Sequence, residues 1–225
     1  MAAPQARSLE VTVPAEEAQL RGILSLPANC LGVVIFAHGS GSGRLSPRNT
    51  AVARTLQGDG LATLLMDLLT VEEESADART GHLRFDIELL ARRVTHATRW
   101  VREQPEVRAV PVGYFGASTG AAAALVAAAE DPEVGAVVSR GGRPDLTMEC
   151  LADVRAPTLL VVGANDIPVI PLNQQAFAAL RCEKDLVLVP GASHLFEEPG
   201  TLDAAASLAS AWFVRHLSAG RERAR

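Results

Sequence analysis

The fold class is decided by the stretch YFGASTGAA at positions 114–122. An apolar run leads here into a G-x-S-x-G pattern centred on Ser118, and an alanine-rich segment follows. A serine hydroxyl is a poor nucleophile until a base removes its proton, and a sharp strand-to-helix turn exposes the oxygen to such a base. Glycines at positions 116 and 120 relieve the crowding that this turn creates. The stretch therefore predicts that Ser118 is a catalytic nucleophile.

The same stretch has two other interpretations. A glycine-rich turn can serve the packing of a strand against a helix, and the N-terminus of that helix can hold a phosphate. The chain contains neither G-K-[ST] nor G-x-G-x-x-G, which weakens the phosphate interpretation. The motif alone leaves the choice open, so the deciding signal has to come from partners of the nucleophile elsewhere in the chain.

Two further residues follow Ser118 in the order Ser, Asp, His. Asp166 comes shortly after the apolar run 159–162, and His194 follows the next apolar run, 186–189. Open α/β sheets assemble their sites from loops at the carboxyl ends of the strands, so three such loops can converge. A loop aspartate alone is more often a turn former, and a loop histidine a surface residue. Their joint occurrence in this order predicts His194 as the base and Asp166 as the acid that orients it.

The remaining sequence predicts an α/β protein with a mostly parallel sheet of about eight strands. Segments 9–13 and 19–26 alternate in polarity and predict an antiparallel hairpin at the sheet edge. Continuous apolar runs then alternate with helical segments, which is typical of a parallel sheet covered by helices on both faces. The predicted strands are 32–37, 61–66, 111–115, 134–139, 158–162 and 186–189, and the predicted helices are 47–57, 83–103, 119–129, 172–180 and 202–216. No repeat, linker or composition break is visible, so we expect one domain over residues 1–225.

Composition argues against several kinds of partner. The 21 lysines and arginines and 26 acidic residues give a net charge of −5 without a basic stripe, so nucleic acid is not expected to bind. No apolar run reaches the roughly 20 residues that cross a bilayer, so no membrane association is expected. Residues 1–10 lack the apolar core of a secretory signal, and Cys30, Cys150 and Cys182 form no C-x-x-C pair. The sequence thus predicts a cytoplasmic protein without a metal or cofactor, and its oligomeric state is left open.

Stabilisation of a tetrahedral intermediate requires backbone N–H donors aimed at the developing negative charge. One predicted donor is the amide of Thr119, immediately after the nucleophile. The second is the amide of Ser40, in the glycine-rich loop 38–43 after the strand 32–37. We interpret His38 as a brace that holds this loop by hydrogen bonding, and not as a base or a metal ligand.

Two arginines, Arg140 and Arg143, follow a predicted strand on the face where substrates bind. An arginine can grip a carboxylate in a bidentate fork, so both are candidates for binding a carboxylate-bearing substrate. The alternative, which the sequence slightly favours, is that they pair with Asp67, Asp145 or another nearby acid. Three consecutive acidic residues, 72–74, could suggest a cation site, but we interpret them as solvated surface.

Taken together, the loop 38–43, the elbow 116–120, Asp166 and His194 resemble the α/β-hydrolase superfamily, and within it the dienelactone hydrolase-like group, over nearly the whole chain. This resemblance implies the α/β-hydrolase fold and a serine hydrolase. The run 38–49 also resembles a bacterial subgroup of small hydrolases, some of which are fused to phosphoribosyltransferases. Dienelactone hydrolase itself carries a cysteine where this chain has Ser118, which favours an ordinary ester over dienelactone as the substrate.

The space for a lid is small. Fewer than 20 residues separate the predicted strands 134–139 and 158–162, whereas lid-bearing lipases carry whole helices there. We therefore expect no large lid, an open pocket and short acyl or small anionic esters as substrates. The leading hypothesis is hydrolysis of a small carboxylic ester through an acyl-enzyme on Ser118. Acyl transfer with the same residues and a non-catalytic binding module on a hydrolase scaffold are the alternatives.

Overall fold

The computed structural model describes residues 7–223, with side chains as far as residue 218. The prediction that residues 1–10 contain no secretory signal falls largely on residues 1–6, which lie outside the described part of the chain. None of the helices between residues 7 and 223 combines the length and the apolar character needed to cross a bilayer.

Eight strands form one sheet within the described residues. In chain order they are β1 (Arg7–Ala15), β2 (Ala18–Leu26), β3 (Gly32–Ala37), β4 (Leu61–Met66), β5 (Val112–Ala117), β6 (Ala136–Arg140), β7 (Thr158–Gly163) and β8 (Lys184–Val189). Their spatial order is β1-β2-β4-β3-β5-β6-β7-β8. The pairs β1–β2 and β2–β4 are antiparallel, and all the other neighbours are parallel. The predicted mostly parallel sheet with an N-terminal hairpin is confirmed.

Helices cover both faces of this sheet, as predicted. In the described part of the chain they are α1 (Pro47–Gly58), α2 (Val71–Thr80), α3 (Ile87–Glu103), α4 (Thr119–Glu130), α5 (Ile170–Ala179) and α6 (Thr201–Arg223). One apolar core lies between the sheet and α3, α4 and α5, and the other between the sheet and α1 and α6. Every core strand from β3 to β7 is buried along its whole length, which explains the continuous apolar runs of the sequence.

The sequence-based prediction missed helix α2. Its first turn contains residues 72–74, which were predicted to be solvated surface. The helix begins at a capping box: the Thr70 hydroxyl accepts the Glu73 amide at 3.2 Å, and the Glu73 carboxylate accepts the Thr70 amide at 2.7 Å. Acidic side chains in a first turn are favoured by the helix dipole. Asp77 is the one buried residue of α2, so no apolar stripe signals this helix.

The predicted helix 83–103 is also wrong at its start. Leu83–Phe85 forms a short 3-10 helix, and α3 begins afterwards at Ile87. Asp86 separates the two because its carboxylate accepts the Leu89 amide at 2.9 Å and so caps α3. The sequence-based prediction did not consider Asp86 as a cap and joined the two segments into one helix.

The connection between β6 and β7 is short. It contains only the 3-10 helices Pro144–Thr147 and Leu151–Asp153, so no lid helix is inserted there, as predicted. The loops that follow β3, β5, β6, β7 and β8 all lie at the carboxyl edge of the parallel strands, where α/β folds place their sites.

Candidate active site

Ser118 occupies a strained turn between β5 and α4. Its backbone angles are φ 50° and ψ −124°, a conformation that non-glycine residues rarely adopt. The neighbouring glycines are sterically required: a Cβ at Gly116 would lie 2.4 Å from the Cα of Ala121, and a Cβ at Gly120 would lie 2.1 Å from the carbonyl oxygen of Ala37. The chain thus uses two glycines to turn sharply while presenting the serine at the sheet edge.

Asp166 and His194 meet on neighbouring loops. Asp166 follows β7 and is buried, and His194 follows β8 and is partly exposed. The Nδ1 atom of His194 lies 2.7 Å from Oδ2 of Asp166. An ionised carboxylate can only accept, so Nδ1 donates and Nε2 keeps a free lone pair. Gly141 permits the close approach of this loop, because a Cβ there would lie 3.0 Å from the carbonyl oxygen of His194.

Ser118 and His194 line the same cavity, whose volume is about 220 Å³. No hydrogen bond joins the Ser118 hydroxyl to His194 among the described residues. Catalytic hydrogen bonds are often long in unliganded sites and shorten when substrate binds. The structure therefore brings Ser118, Asp166 and His194 to one edge of the sheet, with the histidine between a buried acid and the cavity that contains the serine.

Ser40 and Thr119, whose amides were predicted to hold the oxyanion, lie next to each other. Their hydroxyl oxygens are 3.2 Å apart. Thr119 is the first residue of α4, so its amide has no acceptor within the helix. The amide of Ser40 has no acceptor among residues 7–223. A Cβ at Gly39 would lie 2.9 Å from the Cβ of Ser118, so this glycine lets the loop approach the nucleophile.

His38 braces the loop that carries Ser40, as predicted. The Leu68 amide donates to Nε2 at 2.9 Å, so Nδ1 carries the proton and donates to the Gly39 carbonyl at 2.9 Å. Burial lowers the pKa of His38, while the Gly39 carbonyl and the charge of Asp67 act in the opposite direction. A neutral ring with both nitrogens occupied is not available as a base or a metal ligand.

The two candidate arginines have different surroundings. Arg143 forms a bidentate pair with Asp145, with two nitrogen–oxygen distances of 2.8 Å. Arg140 is the last residue of β6, is 7% exposed, and has no acidic partner in the described part of the chain. Its guanidinium carbon lies 5.7 Å from the ring centre of Phe196. Asp67, the other acid considered from the sequence, pairs with Arg44.

A larger cavity of about 430 Å³ was not foreseen from the sequence. It lies on the other side of the loop 39–46 and reaches Ser40 and Thr119. Its far wall includes Glu74 and Asp77 of α2, the helix that the sequence-based prediction missed. Burial raises the pKa of Glu74, and the nearby charge of Asp67 acts in the same direction. The loop with Ser40 thus separates two cavities, of which only the smaller one is lined by Ser118.

Comparisons with known proteins agree with this architecture. The sequence profile of the dienelactone hydrolase family matches residues 20–216. A crystal structure of a dienelactone hydrolase from Anabaena variabilis superposes with a TM-score of 0.93 and is 58% identical, covering 95% of this chain and all of that one. Est1E from Butyrivibrio proteoclasticus shares the fold, with a TM-score of 0.75. It is 14% identical, and the match covers 93% of this chain and 99% of Est1E.

This chain is 56% identical over 216 residues to a protein of Mycobacterium tuberculosis strain H37Rv whose provisional name is phosphoribosyl transferase. The match covers 95% of this chain but 48% of that protein, so the chain spans about half the length of this curated relative.

Proposed function

This chain belongs to the dienelactone hydrolase family, and on that basis we propose that it is a serine hydrolase that cleaves small carboxylic esters through an acyl-enzyme on Ser118. The observation that carries the proposal is the 2.7 Å contact between His194 and Asp166 at the cavity that contains Ser118. This arrangement gives a serine both a base and an acid that orients the base, which are the two requirements for activating its hydroxyl.

Acylation begins with attack of the Ser118 hydroxyl oxygen on the ester carbonyl carbon. Nε2 of His194 takes the serine proton, and the Asp166 carboxylate stabilises the imidazolium. The negative charge that forms on the carbonyl oxygen is held by the amides of Ser40 and Thr119. When the tetrahedral intermediate collapses, His194 returns the proton to the alcohol, which leaves with it.

Deacylation repeats these steps with water as the nucleophile. His194 takes a proton from the water molecule, and the resulting hydroxide attacks the acyl carbon on Ser118. The same two amides stabilise the second oxyanion, and the proton returns to the serine oxygen as the acid departs. The reaction regenerates the free serine and consumes one water molecule for each ester.

Small esters suit the dimensions of the site. The cavity shared by Ser118 and His194 has a volume of about 220 Å³, below the range of about 300–1,000 Å³ that is typical of drug-sized ligands. The short connection between β6 and β7 adds no apolar lid helix that could cover a long acyl chain. Rates are therefore expected to decrease as the acyl chain lengthens.

The proposal is tested with 4-nitrophenyl acetate, butyrate and octanoate together with a fluorophosphonate probe that labels activated serines. Wild-type protein is expected to hydrolyse the short esters and to be labelled. Ser118→Ala is expected to remain folded, to lose labelling and to lose kcat by on the order of 10⁴-fold or more, as removal of a triad nucleophile does. An inert, unlabelled wild-type protein would instead favour a binding module on this scaffold.

A further inference from the structure

Asn49 is a buried residue whose side-chain amide is not used by the fold. It is 3% exposed, and its Oδ1 atom has no hydrogen-bond donor among the described residues. The backbone amide of Asn49 donates to Oγ of Ser46 at 3.4 Å, so Ser46 caps α1 and the Asn49 side chain does not. Buried polar side chains are nearly always paired with protein or with water, because an unpaired one costs stability. The Asn49 amide is therefore available to a group that does not belong to the chain.

Asn49 lines the cavity of about 220 Å³ that also contains Ser118 and His194. Helix α1 fixes its backbone there, because the buried side chains of Val52 and Leu56 pack this helix on the sheet. The amide can turn about its Cβ–Cγ bond, a torsion with two broad positions, and so exchange its oxygen and nitrogen. No hydrogen bond to the described residues holds Oδ1 in place, so either atom can be presented to the cavity.

A water molecule that attacks an acyl-enzyme needs acceptors for both of its hydrogens. Its oxygen has to direct a lone pair at the acyl carbon, which requires both O–H groups to point elsewhere. In the proposed deacylation, Nε2 of His194 accepts one of them. The other needs a second acceptor on the cavity wall. The Ser118 hydroxyl has a single O–H, so acylation makes no such demand.

Asn49 is the side chain of this cavity that best supplies the second acceptor. Among the described residues that line the cavity, none carries a carboxylate, and the arginines can only donate. The Ser40 hydroxyl bonds to that of Thr119 at 3.2 Å. The Ser46 hydroxyl accepts the Asn49 backbone amide, and Ser42 is partly exposed, so solvent competes for its hydroxyl. The amide oxygen of Asn49 has no such competitor.

We propose that Asn49 holds the water molecule that deacylates Ser118, with Oδ1 accepting the hydrogen that His194 does not take. The inference rests on the proposed function, because it concerns the acyl-enzyme. His194 takes one proton of the water, the water oxygen bonds to the acyl carbon, and the second proton stays on the acid that forms. The bond from the acyl carbon to the Ser118 oxygen then breaks as His194 returns its proton to that oxygen. Asn49 exchanges no proton and only orients the water.

The test is a competition between water and methanol for one acyl-enzyme. Methanol has a single O–H, which His194 takes, so its attack does not need the second acceptor. The protein is given 4-nitrophenyl butyrate in buffer that contains methanol, and butyric acid and methyl butyrate are measured by gas chromatography after the uncatalysed products are subtracted. The ratio of acid to methyl ester reports on deacylation alone and does not depend on how much of the protein is folded.

The variant Asn49→Leu keeps the size of the side chain and removes the acceptor. Its ratio of acid to methyl ester is expected to fall on the order of 10- to 100-fold, the loss expected when a buried hydrogen bond is removed. Its rate of labelling by the fluorophosphonate probe should change by less than about threefold, because labelling, like acylation, involves only the single O–H of Ser118.

Two further variants complete the series. Asn49→Asp keeps an acceptor in the same place and puts a negative charge in the first turn of α1, where it is tolerated. Its ratio is expected to stay within about threefold of the wild-type ratio. Thr50→Val is the matched control, since Thr50 is the next residue of α1 and does not line the cavity, and its ratio should equal that of the wild type.

An unchanged ratio in Asn49→Leu, or a ratio in Asn49→Asp that falls as far as in Asn49→Leu, would overturn the role of Asn49. Mass spectrometry of wild-type protein quenched during turnover separates this result from the proposed function. A butyryl group on Ser118 is expected. If it forms and the ratio in Asn49→Leu is unchanged, this inference alone is wrong. If neither the butyryl group nor either product forms, the proposed function is wrong and the inference with it.

Discussion

At the scale of single residues, the contact between Asp166 and His194 controls which nitrogen of the imidazole can react in the proposed mechanism. The buried Asp166 carboxylate accepts from Nδ1 at 2.7 Å, which leaves the lone pair on Nε2. An amide in the same place can donate through its nitrogen to Nδ1, which moves the histidine proton to Nε2. Uptake of the serine proton is then blocked even though all the atoms keep their positions.

We therefore expect Asp166→Asn to reduce kcat by on the order of 10³- to 10⁴-fold, the size of loss seen when the acid of a serine protease triad becomes an amide. The fold should be retained because the substitution conserves shape. Stopped-flow or steady-state kinetics with 4-nitrophenyl butyrate measures kcat, and a urea unfolding curve checks stability.

The double variant with His194→Ala tests whether the two residues act as one unit. Members of a triad are strongly non-additive, so Asp166→Asn should cost little more once His194 is already alanine. If the two losses multiply instead, Asp166 acts on the reaction by some route other than the histidine, and the proposed triad is incorrect.

The sequence predicted the positions of some single residues well and the surroundings of others poorly. Ser118, Asp166 and His194 could be proposed because strand ends and chain order place them together. The difference between Arg140 and Arg143 could not be predicted. Arg143 pairs with an acid two residues away, whereas Arg140 is buried against Phe196, 56 positions further along the chain. Contacts of this kind depend on how α6 and its preceding loop pack on the sheet.

At the scale of elements, the junction of β5 with α4 has no space for an extra methyl group. We expect Gly120→Ala to lower the free energy of unfolding by about 1–3 kcal/mol or more, since its Cβ would lie 2.1 Å from the Ala37 carbonyl oxygen. To relieve this clash, the end of β3 and the loop that carries Ser40 would have to move away from Ser118. We therefore expect kcat to fall as well. Urea unfolding and ester kinetics measure the two effects.

The control for this prediction is Gly58→Ala at the end of α1, where nothing lies within 4 Å of the position that a Cβ would occupy. Alanine is the better helix former, so this variant should unfold at the same urea concentration or a higher one. Equal stability of the two variants would show that the elbow can relax without cost, and the steric argument for its glycines would fail.

The strands and helices differ in how clearly the sequence predicts them. The bounds of the buried strands β3 to β7 were predicted to within two residues, because each strand is apolar on both faces. Helix α2 was missed because it carries no apolar stripe and buries only Asp77, which pairs with Arg84. A capping box without an apolar stripe is a weak signal, and the large cavity that α2 helps to form was missed with it.

At the scale of the whole molecule, His38 connects the ends of two neighbouring strands. It follows β3, and its ring accepts the amide of Leu68, which follows β4. Protonation of Nε2 would break this hydrogen bond and bury a charge. Burial lowers the pKa of His38 below the usual value of about 6.5. Just below pH 6.5, His38 is therefore protonated in the unfolded chain but still neutral in the folded one. The folded state therefore loses stability as pH falls from about 6.5 towards the lowered pKa.

We expect the free energy of unfolding to decrease between pH 7 and pH 5.5, by at most about 1.4 kcal/mol per pH unit for each such group. His216 contributes in the same direction, because burial lowers its pKa too. Urea unfolding at several pH values is therefore compared for the wild type, His38→Gln and His216→Gln. Each variant should lose part of the slope, since glutamine cannot titrate. A slope in His38→Gln as steep as in the wild type would contradict this prediction. It would mean that the buried His38 ring takes up its proton as readily in the folded as in the unfolded chain.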